Sequence, residues 1–211
     1  MKFSQQIAKG ALIVFLGMIV GKALSYFYVI LLSRLGSSTY GLLSIGFAII
    51  SFLIIISLLG LSTSVTRYVA YYIGKKDKKR IKSTITSSIK IVLPLSILIS
   101  FTLFILSKQI SIIIFNNADL IPILKLFSLT IPFLALTDLF LSFIIGFQKI
   151  GYRTLIKDII ETSIKLFLTF IFISFGYGLF GVVAAYIISI IITFILSFYF
   201  IKKAFPILNK N

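Results

Sequence analysis

Five ionisable side chains stand out because they lie within, or at the ends of, long apolar stretches of the chain. They are Lys22, Arg67, Asp138, Glu161 and Lys165. An ionisable group inside a bilayer costs several kcal/mol, so each needs a partner, a water-filled cavity or a route to the interface. These five residues are therefore the first candidates for functional chemistry.

The three cations are candidate contacts for an anionic head group. Lys22 lies near the middle of its apolar stretch, where a four-carbon stem hardly reaches the lipid head groups; a structural ion pair or a shallower position are its alternatives. Arg67 could bind a diphosphate bidentately, but could equally anchor its helix at the cytoplasmic surface. Lys165 could line the same cavity as Lys22, or pair with Glu161, four residues earlier on a helix face shared with Asp158.

The two acids are candidates for a coupling site or a structural ion pair. Asp138 is the only acid well inside an apolar stretch, beyond Pro132 in the same predicted helix. It could bind a proton or coupling cation, and pairing with Lys22 or Lys165 would neutralise it equally well. Both roles remain open at this point.

The composition excludes several kinds of site. The chain has no Cys and no His, which removes disulfides, thiolates, imidazole bases and nearly all transition-metal sites. We therefore expect no catalytic residues, no metal and no cofactor. A membrane glycosyltransferase is disfavoured as well, since outside the apolar stretches the isolated acids are Asp119 and Asp77, and Asp77 is surrounded by lysines.

The elements that carry these residues are predicted to be transmembrane helices in an all-α, polytopic bundle. Of the 211 residues, 59% are hydrophobic and 12% are charged, and soluble domains carry about 25% charged residues. The mean hydropathy is +1.15, and uncharged runs longer than about 18 residues recur. We predict one transmembrane domain, 1–211, with a basic cytoplasmic loop at 67–90. Its six predicted helices are approximately 7–33, 40–66, 91–106, 121–147, 154–174 and 179–201.

The positive charges predict the orientation of the bundle. The net charge is +16, from 21 Lys and Arg against five acids. With the N-terminus inside, 16 cations lie in the cytoplasmic segments and three in the outer segments, which predicts that both termini are cytoplasmic in a multi-pass protein of the cytoplasmic membrane. The lysine run 75–82 then lies where anionic lipid attracts it, or docks a partner, and nucleic-acid binding is not expected.

Several short segments resemble a known family when their order along the chain is considered. They are Tyr40-Gly41-Leu42-Leu43-Ser44, Leu58-Leu59-Gly60-Leu61 followed by Val65, Arg67 and Tyr68, the basic turn from Gly74-Lys75, Gly151-Tyr152 ahead of Lys157-Asp158, and Gly176-Tyr177-Gly178-Leu179-Phe180-Gly181. The chain resembles the polysaccharide transporter and O-antigen flippase family of the multidrug/oligosaccharidyl-lipid/polysaccharide flippase superfamily. Members have about twice as many helices in two lobes, so the resemblance is to the N-terminal, six-helix half.

The resemblance implies a function that the residues alone do not give. It implies export of a lipid-linked oligosaccharide or polysaccharide precursor across the cytoplasmic membrane by alternating access. The implied partners are the lipid-linked anionic glycan, membrane lipids, and a second six-helix lobe or another copy, because one lobe cannot rock alone. The alternatives are a multidrug or cation exporter of the same superfamily, which a positively lined cavity would disfavour, and a membrane subunit with no transport of its own.

Overall fold

A computed structural model describes the backbone of residues 2–204 and the side chains of residues 11–202. Within that part of the chain the structure is helical, with short turns and no strand. Two π-helical segments, Ile110–Ile114 and Thr154–Glu161, continue neighbouring α-helices. The α-helices are α1 Lys2–Ser33, α2 Ser37–Leu58, α3 Leu61–Gly74, α4 Lys78–Gln109, α5 Leu120–Ser128, α6 Ile131–Gly146, α7 Ile150–Arg153, α8 Thr162–Ser174 and α9 Gly178–Ala204.

Four of the described helical segments are long and apolar enough to cross a membrane. They are Ala11–Ser33, Ser37–Leu58, Lys78–Ile114 and Gly178–Lys202. The pair α5 and α6, bent by 47°, makes a fifth if it is one broken span. The predicted helical membrane fold is confirmed in this form, whereas the count of six helices and the orientation stay predictions. Met1 and residues 205–211, which hold part of the predicted cytoplasmic tail, lie outside the described residues.

The second predicted helix is divided in the structure. Leu59 and Gly60 have φ values of 46° and 71°, in the left-handed region, and Leu59 N donates to Ile56 O at 3.2 Å. A left-handed residue ends the regular i→i−4 ladder, so α2 stops at Leu58 and α3 starts as a separate helix at Leu61.

The predicted basic loop 67–90 is also mostly helical. It contains the end of α3 and the start of α4, with a turn at 75–77. Asp77 explains the early start of α4, because its carboxylate accepts from the backbone N–H of Arg80 at 3.0 Å and so caps the helix. Most charged residues of this region therefore lie on α3 and α4, and the others lie in the short turn between them.

The core of the bundle is built around α6. Twelve of its 16 residues are buried, on all sides of the helix, as expected for an apolar helix enclosed by others. It packs against α3, α4 and α9, and Thr66 Oγ1 of α3 donates to the carbonyl of Ser142 at 3.0 Å. Asp138 therefore belongs to the most enclosed helix of the fold.

A close approach of α1 positions the π-helical segment Thr154–Glu161. Gly17 and Gly21, four residues apart, face this segment. A Cβ at Gly17 would lie 2.6 Å from Thr154 Cγ2, and one at Gly21 would lie 2.8 Å from the carbonyl oxygen of Asp158. Small residues at this spacing let helix backbones approach closely in membranes. This contact holds the charged segment against the bundle.

Candidate functional site

Three charged side chains from two elements meet in the interior of the bundle. Lys157 Nζ lies 3.2 Å from Asp138 Oδ1 and 3.3 Å from Glu161 Oε2. The side chain of Glu161 is 10% exposed, that of Lys157 25% and that of Asp138 33%. One ammonium is thus shared by two carboxylates, and within this trio one negative charge is left over.

The local helix geometry explains how the trio forms. Lys157 and Glu161 are four residues apart on the π-helical segment, so they lie on one face, and that face meets α6 at Asp138. π-Helical turns are rare and often occur at functional sites. Here the π turns join α7 to α8 without a break, so one continuous rod, 150–174, carries charges from the helix end into the bundle.

Lys165 lies further along the same rod and has a different environment. Its Nζ is 4.6 Å from the centre of the Tyr28 ring on α1 and 6.0 Å from that of Tyr186 on α9. A lysine ammonium over an aromatic face is stabilised by the ring quadrupole. The two tyrosine rings therefore stabilise the Lys165 ammonium, as a carboxylate does in an ordinary ion pair.

The first of two cavities beside these residues, the tyrosine cavity, has a volume of about 520 Å³. Its two carboxylates, Asp138 and Glu161, balance its two ammonium groups, Lys157 and Lys165, so the lining has no formal net charge. Its lining consists of Tyr28, Phe47, Ser51, Ile54, Ile55, Leu58, Leu134, Asp138, Lys157, Glu161, Lys165 and Tyr186.

The second cavity, the arginine cavity, has a volume of about 680 Å³ and adjoins the first. Three cations, Arg67, Arg153 and Lys157, face one carboxylate, Asp138, so the lining has an excess of two positive charges. Hydroxyl side chains supply further donors. The complete lining is Leu58, Ser62, Thr63, Thr66, Arg67, Asp138, Leu141, Ser142, Ile145, Arg153 and Lys157.

The structure brings together most, but not all, of the residues singled out from the sequence. Asp138, Glu161 and Lys165 line the tyrosine cavity, and Arg67 lines the arginine cavity. Lys22 is exposed on α1 and lines neither cavity. The structure therefore does not place Lys22 in the same cavity as Lys165.

The expected ion pairs have different partners in the structure. Glu161 pairs with Lys157, not with Lys165, because the Lys165 ammonium lies over the tyrosine rings. Asp138 also pairs with Lys157, rather than with Lys22 or Lys165. Asp158 does not share this face, since its backbone and Cβ lie against Gly21 of α1.

Sequence reasoning missed Lys157, Arg153 and the two tyrosines. Lys157 and Arg153 are among the 16 cations of the predicted cytoplasmic segments, because they precede the long uncharged run. The spacing of Lys157 to Glu161 is a detectable signal for an intrahelical pair. Nothing in the local sequence distinguishes Tyr28 and Tyr186 from other tyrosines. The described residues contain no group of three or more acids, His or Cys that could hold a metal ion.

Comparison with known proteins gives a family match over nearly the whole chain. The family model described as polysaccharide biosynthesis protein matches residues 7–211. No curated protein matches.

Solved structures of transporters share the fold. An outward-facing multidrug resistance MATE family transporter of the MOP superfamily is similar with a TM-score of 0.77 and 19% identity, over 92% of this chain and 44% of that one. A MOP superfamily transporter from Pyrococcus furiosus, described as having a binding pocket of reverse polarity, gives the same values. A MATE structure in a bent conformation has a TM-score of 0.77 with 18% identity, over 92% of this chain and 44% of its own. The chain therefore spans less than half the length of these transporters.

Proposed function

The chain belongs to the polysaccharide biosynthesis protein family, and we propose that it is a lobe of a membrane transporter that flips a lipid-linked oligosaccharide or polysaccharide precursor across the cytoplasmic membrane. The family match and the transporter fold support membrane transport. The substrate class is the proposal: a glycan joined to its lipid carrier through phosphate groups, as in O-antigen export.

The observation that carries this proposal is the charge of the arginine cavity. Arg67, Arg153 and Lys157 give it an excess of two positive charges, with hydroxyl donors from Ser62 and Thr63. Guanidinium groups bind phosphate oxygens bidentately, and such contacts are strong where water is scarce. The cavity thus suits a diphosphate, while a polyprenyl tail remains in lipid.

The same geometry argues against the multidrug or cation exporter. Such a protein needs a carboxylate that is free to meet a cationic substrate. Here the Lys157 ammonium lies within 3.3 Å of both Asp138 and Glu161 and so occupies that position. A cationic substrate would have to displace the Lys157 ammonium, which is covalently tethered beside both carboxylates.

Lys22 lies outside both cavities, and the proposed function provides a partner for its charge. It is at the midpoint of the candidate span Ala11–Ser33, is exposed, and has no ion pair among the described residues. A lysine at that depth needs a partner, so we assign its contact to the anionic substrate or to a second lobe. The second lobe is either another polypeptide segment or a second copy, and alternating access is the rocking of the two lobes.

The test is movement of a fluorescent lipid-linked oligosaccharide across reconstituted vesicles. We expect the chain to move the lipid at a rate that rises with the square of its density if two copies form the transporter. The double variant Arg67→Gln/Arg153→Gln should reduce the rate by about a hundredfold, as for two lost charge-assisted contacts. Arg34→Gln, at an exposed arginine outside both cavities, is the matched control.

Two results would contradict this proposal. Equal rates for the double variant and for Arg34→Gln would remove the arginine cavity from the mechanism. No movement at any density, with the protein folded and inserted, would mean that this polypeptide does not flip lipid alone or as a pair and would favour a subunit without transport of its own.

A further inference from the structure

The two cavities share one wall but differ in charge. Asp138, Lys157 and Leu58 line both. The arginine cavity has an excess of positive charge, and the tyrosine cavity has none and contributes a second carboxylate, Glu161. A diphosphate placed in the tyrosine cavity would find no net positive charge to offset its own, because the two ammonium groups there are already balanced by two carboxylates that would repel it. The ligand group that fits there is neutral.

The tyrosine cavity has the chemistry of a carbohydrate site. Carboxylates accept hydrogen bonds from hydroxyl groups, and the lysines can donate to ring or hydroxyl oxygens. The aromatic rings of Phe47 and Tyr186, with centres 4.9 Å apart in an edge-to-face contact, add aromatic surface to the lining, against which the C–H side of a sugar ring can pack. A volume of about 520 Å³ lies within the range of about 300–1,000 Å³ typical of small-ligand sites.

Two buried polar atoms in the cavity lining lack good hydrogen bonds. The hydroxyl of Tyr28, a residue that is 5% exposed, and Oε2 of Glu161 have no hydrogen-bond partner of good geometry within the described side chains. Glu161 Oε2 lies 3.3 Å from Lys157 Nζ, its ion-pair partner. Buried polar groups normally find partners, and a small rotation towards the cavity would let ligand hydroxyls provide them.

We infer that the tyrosine cavity binds the sugar adjoining the diphosphate, while the arginine cavity binds the diphosphate itself, with the Asp138–Lys157 pair between the two subsites. This inference rests on the proposed function and assigns its substrate to two places. A sugar–diphosphate link spanning the shared wall would place its first phosphate beside Lys157 and its sugar hydroxyls beside Asp138 and Glu161.

The sequence offers a direct way to test this division, because the chain has no Trp. A single introduced tryptophan is then the only indole in the protein. Ile55→Trp reports on the tyrosine cavity and Thr63→Trp on the arginine cavity, and both positions are exposed, so the indole can be accommodated. The purified full chain in detergent is titrated with two probes, inorganic pyrophosphate and a panel of neutral methyl glycosides.

We expect pyrophosphate to change the fluorescence of Thr63→Trp alone, and at least one glycoside to change that of Ile55→Trp alone. Adding Glu161→Gln, which keeps side-chain size, should weaken glycoside binding about tenfold, as for one lost hydrogen bond to a charged group, and should not weaken pyrophosphate binding, because it removes a carboxylate beside Lys157. The double variant Arg67→Gln/Arg153→Gln should weaken pyrophosphate binding and leave glycoside binding unchanged. Phe47→Leu is a second glycoside variant that leaves all charges in place.

The inference is overturned if pyrophosphate changes both reporters equally, or if no glycoside changes Ile55→Trp up to about 100 mM, well above a millimolar Kd. Neither result would affect lipid flipping that depends on Arg67 and Arg153, so the proposed function would stand. Conversely, glycoside binding with no pyrophosphate response at Thr63→Trp would overturn both the division and the anion site on which the proposed function depends.

Discussion

Two lysines on the same helical rod are held in opposite ways. Lys157 lies between two carboxylates, at 3.2 Å and 3.3 Å, whereas Lys165 lies over two tyrosine rings and has no ion pair within the described part of the chain. An ammonium held by two formal charges is fixed in position. One held by ring quadrupoles is stabilised more weakly and keeps its hydrogen-bonding capacity for another partner.

The difference separates structural stabilisation from availability to a ligand. Removing Lys157 leaves two buried carboxylates without a counter-ion, so its loss damages the fold as well as any anion site. Removing Lys165 breaks no ion pair within the described residues and takes away a cation–π contact with two tyrosine rings, so we expect its loss to affect the fold much less. The four predictions that follow test this contrast by the free energy of unfolding, and they run from the largest expected effect to the smallest.

Lys157→Met should have the largest effect on stability. Breaking a buried charge pair by removing one partner costs about 3–5 kcal/mol, and partial exposure of Asp138 places the expected value near the lower end, at about 3 kcal/mol. Unfolding in mixed micelles, followed by circular dichroism, measures the change. The triple variant Lys157→Met/Asp138→Asn/Glu161→Gln removes all three charges and should recover most of the loss. If the triple variant is no more stable than Lys157→Met, the unpaired carboxylates do not cause the loss of stability in Lys157→Met.

Gly21→Ala should have the next largest effect, because Gly21 determines how closely α1 approaches the rod. The added Cβ would lie 2.8 Å from both the Cβ and the carbonyl oxygen of Asp158, directly beside Lys157. A backbone neighbour cannot swing aside, so overpacking of about 1–3 kcal/mol is expected in the same unfolding assay. Gly41→Ala is the control, since no atom lies within 4 Å of its added Cβ. Equal results for the two variants would show that α1 is free to move away.

Lys165→Met should lower the free energy of unfolding by only about 0.5–1 kcal/mol. The variant loses a cation–π contact, but it also no longer has to bury a charged ammonium group, which is itself unfavourable. Tyr186→Phe keeps the ring and serves as the matched control. In the vesicle assay, Lys165→Met should lower lipid movement even though the protein stays folded. A destabilisation as large as that of Lys157→Met would contradict the contrast between the two lysines.

The sequence was sufficient for the class of fold and for the candidate charged residues, but not for their pairing. Long apolar runs indicate a lipid environment, so the helical membrane bundle could be predicted from the sequence. The pairing of Glu161 with Lys157 depends on the π-helical segment and on the approach of α6, and both are tertiary features. The division of α2 from α3 was missed because Leu59, a poor left-handed residue, precedes Gly60 at the turn.

The smallest effect on stability is expected for Lys22→Met, and this variant extends the contrast to a third lysine. Lys22 is exposed at the midpoint of its candidate span and pairs with no acid in the described residues, so the free energy of unfolding of the lobe should change by no more than about 0.5 kcal/mol. If the partner of Lys22 is the substrate or a second lobe, lipid movement should nevertheless fall, or its dependence on protein density should change. Lys82→Met, at an exposed lysine of the basic turn region, is the control for loss of a positive charge. A Lys22→Met lobe that is clearly destabilised would instead place the partner of Lys22 within the lobe itself.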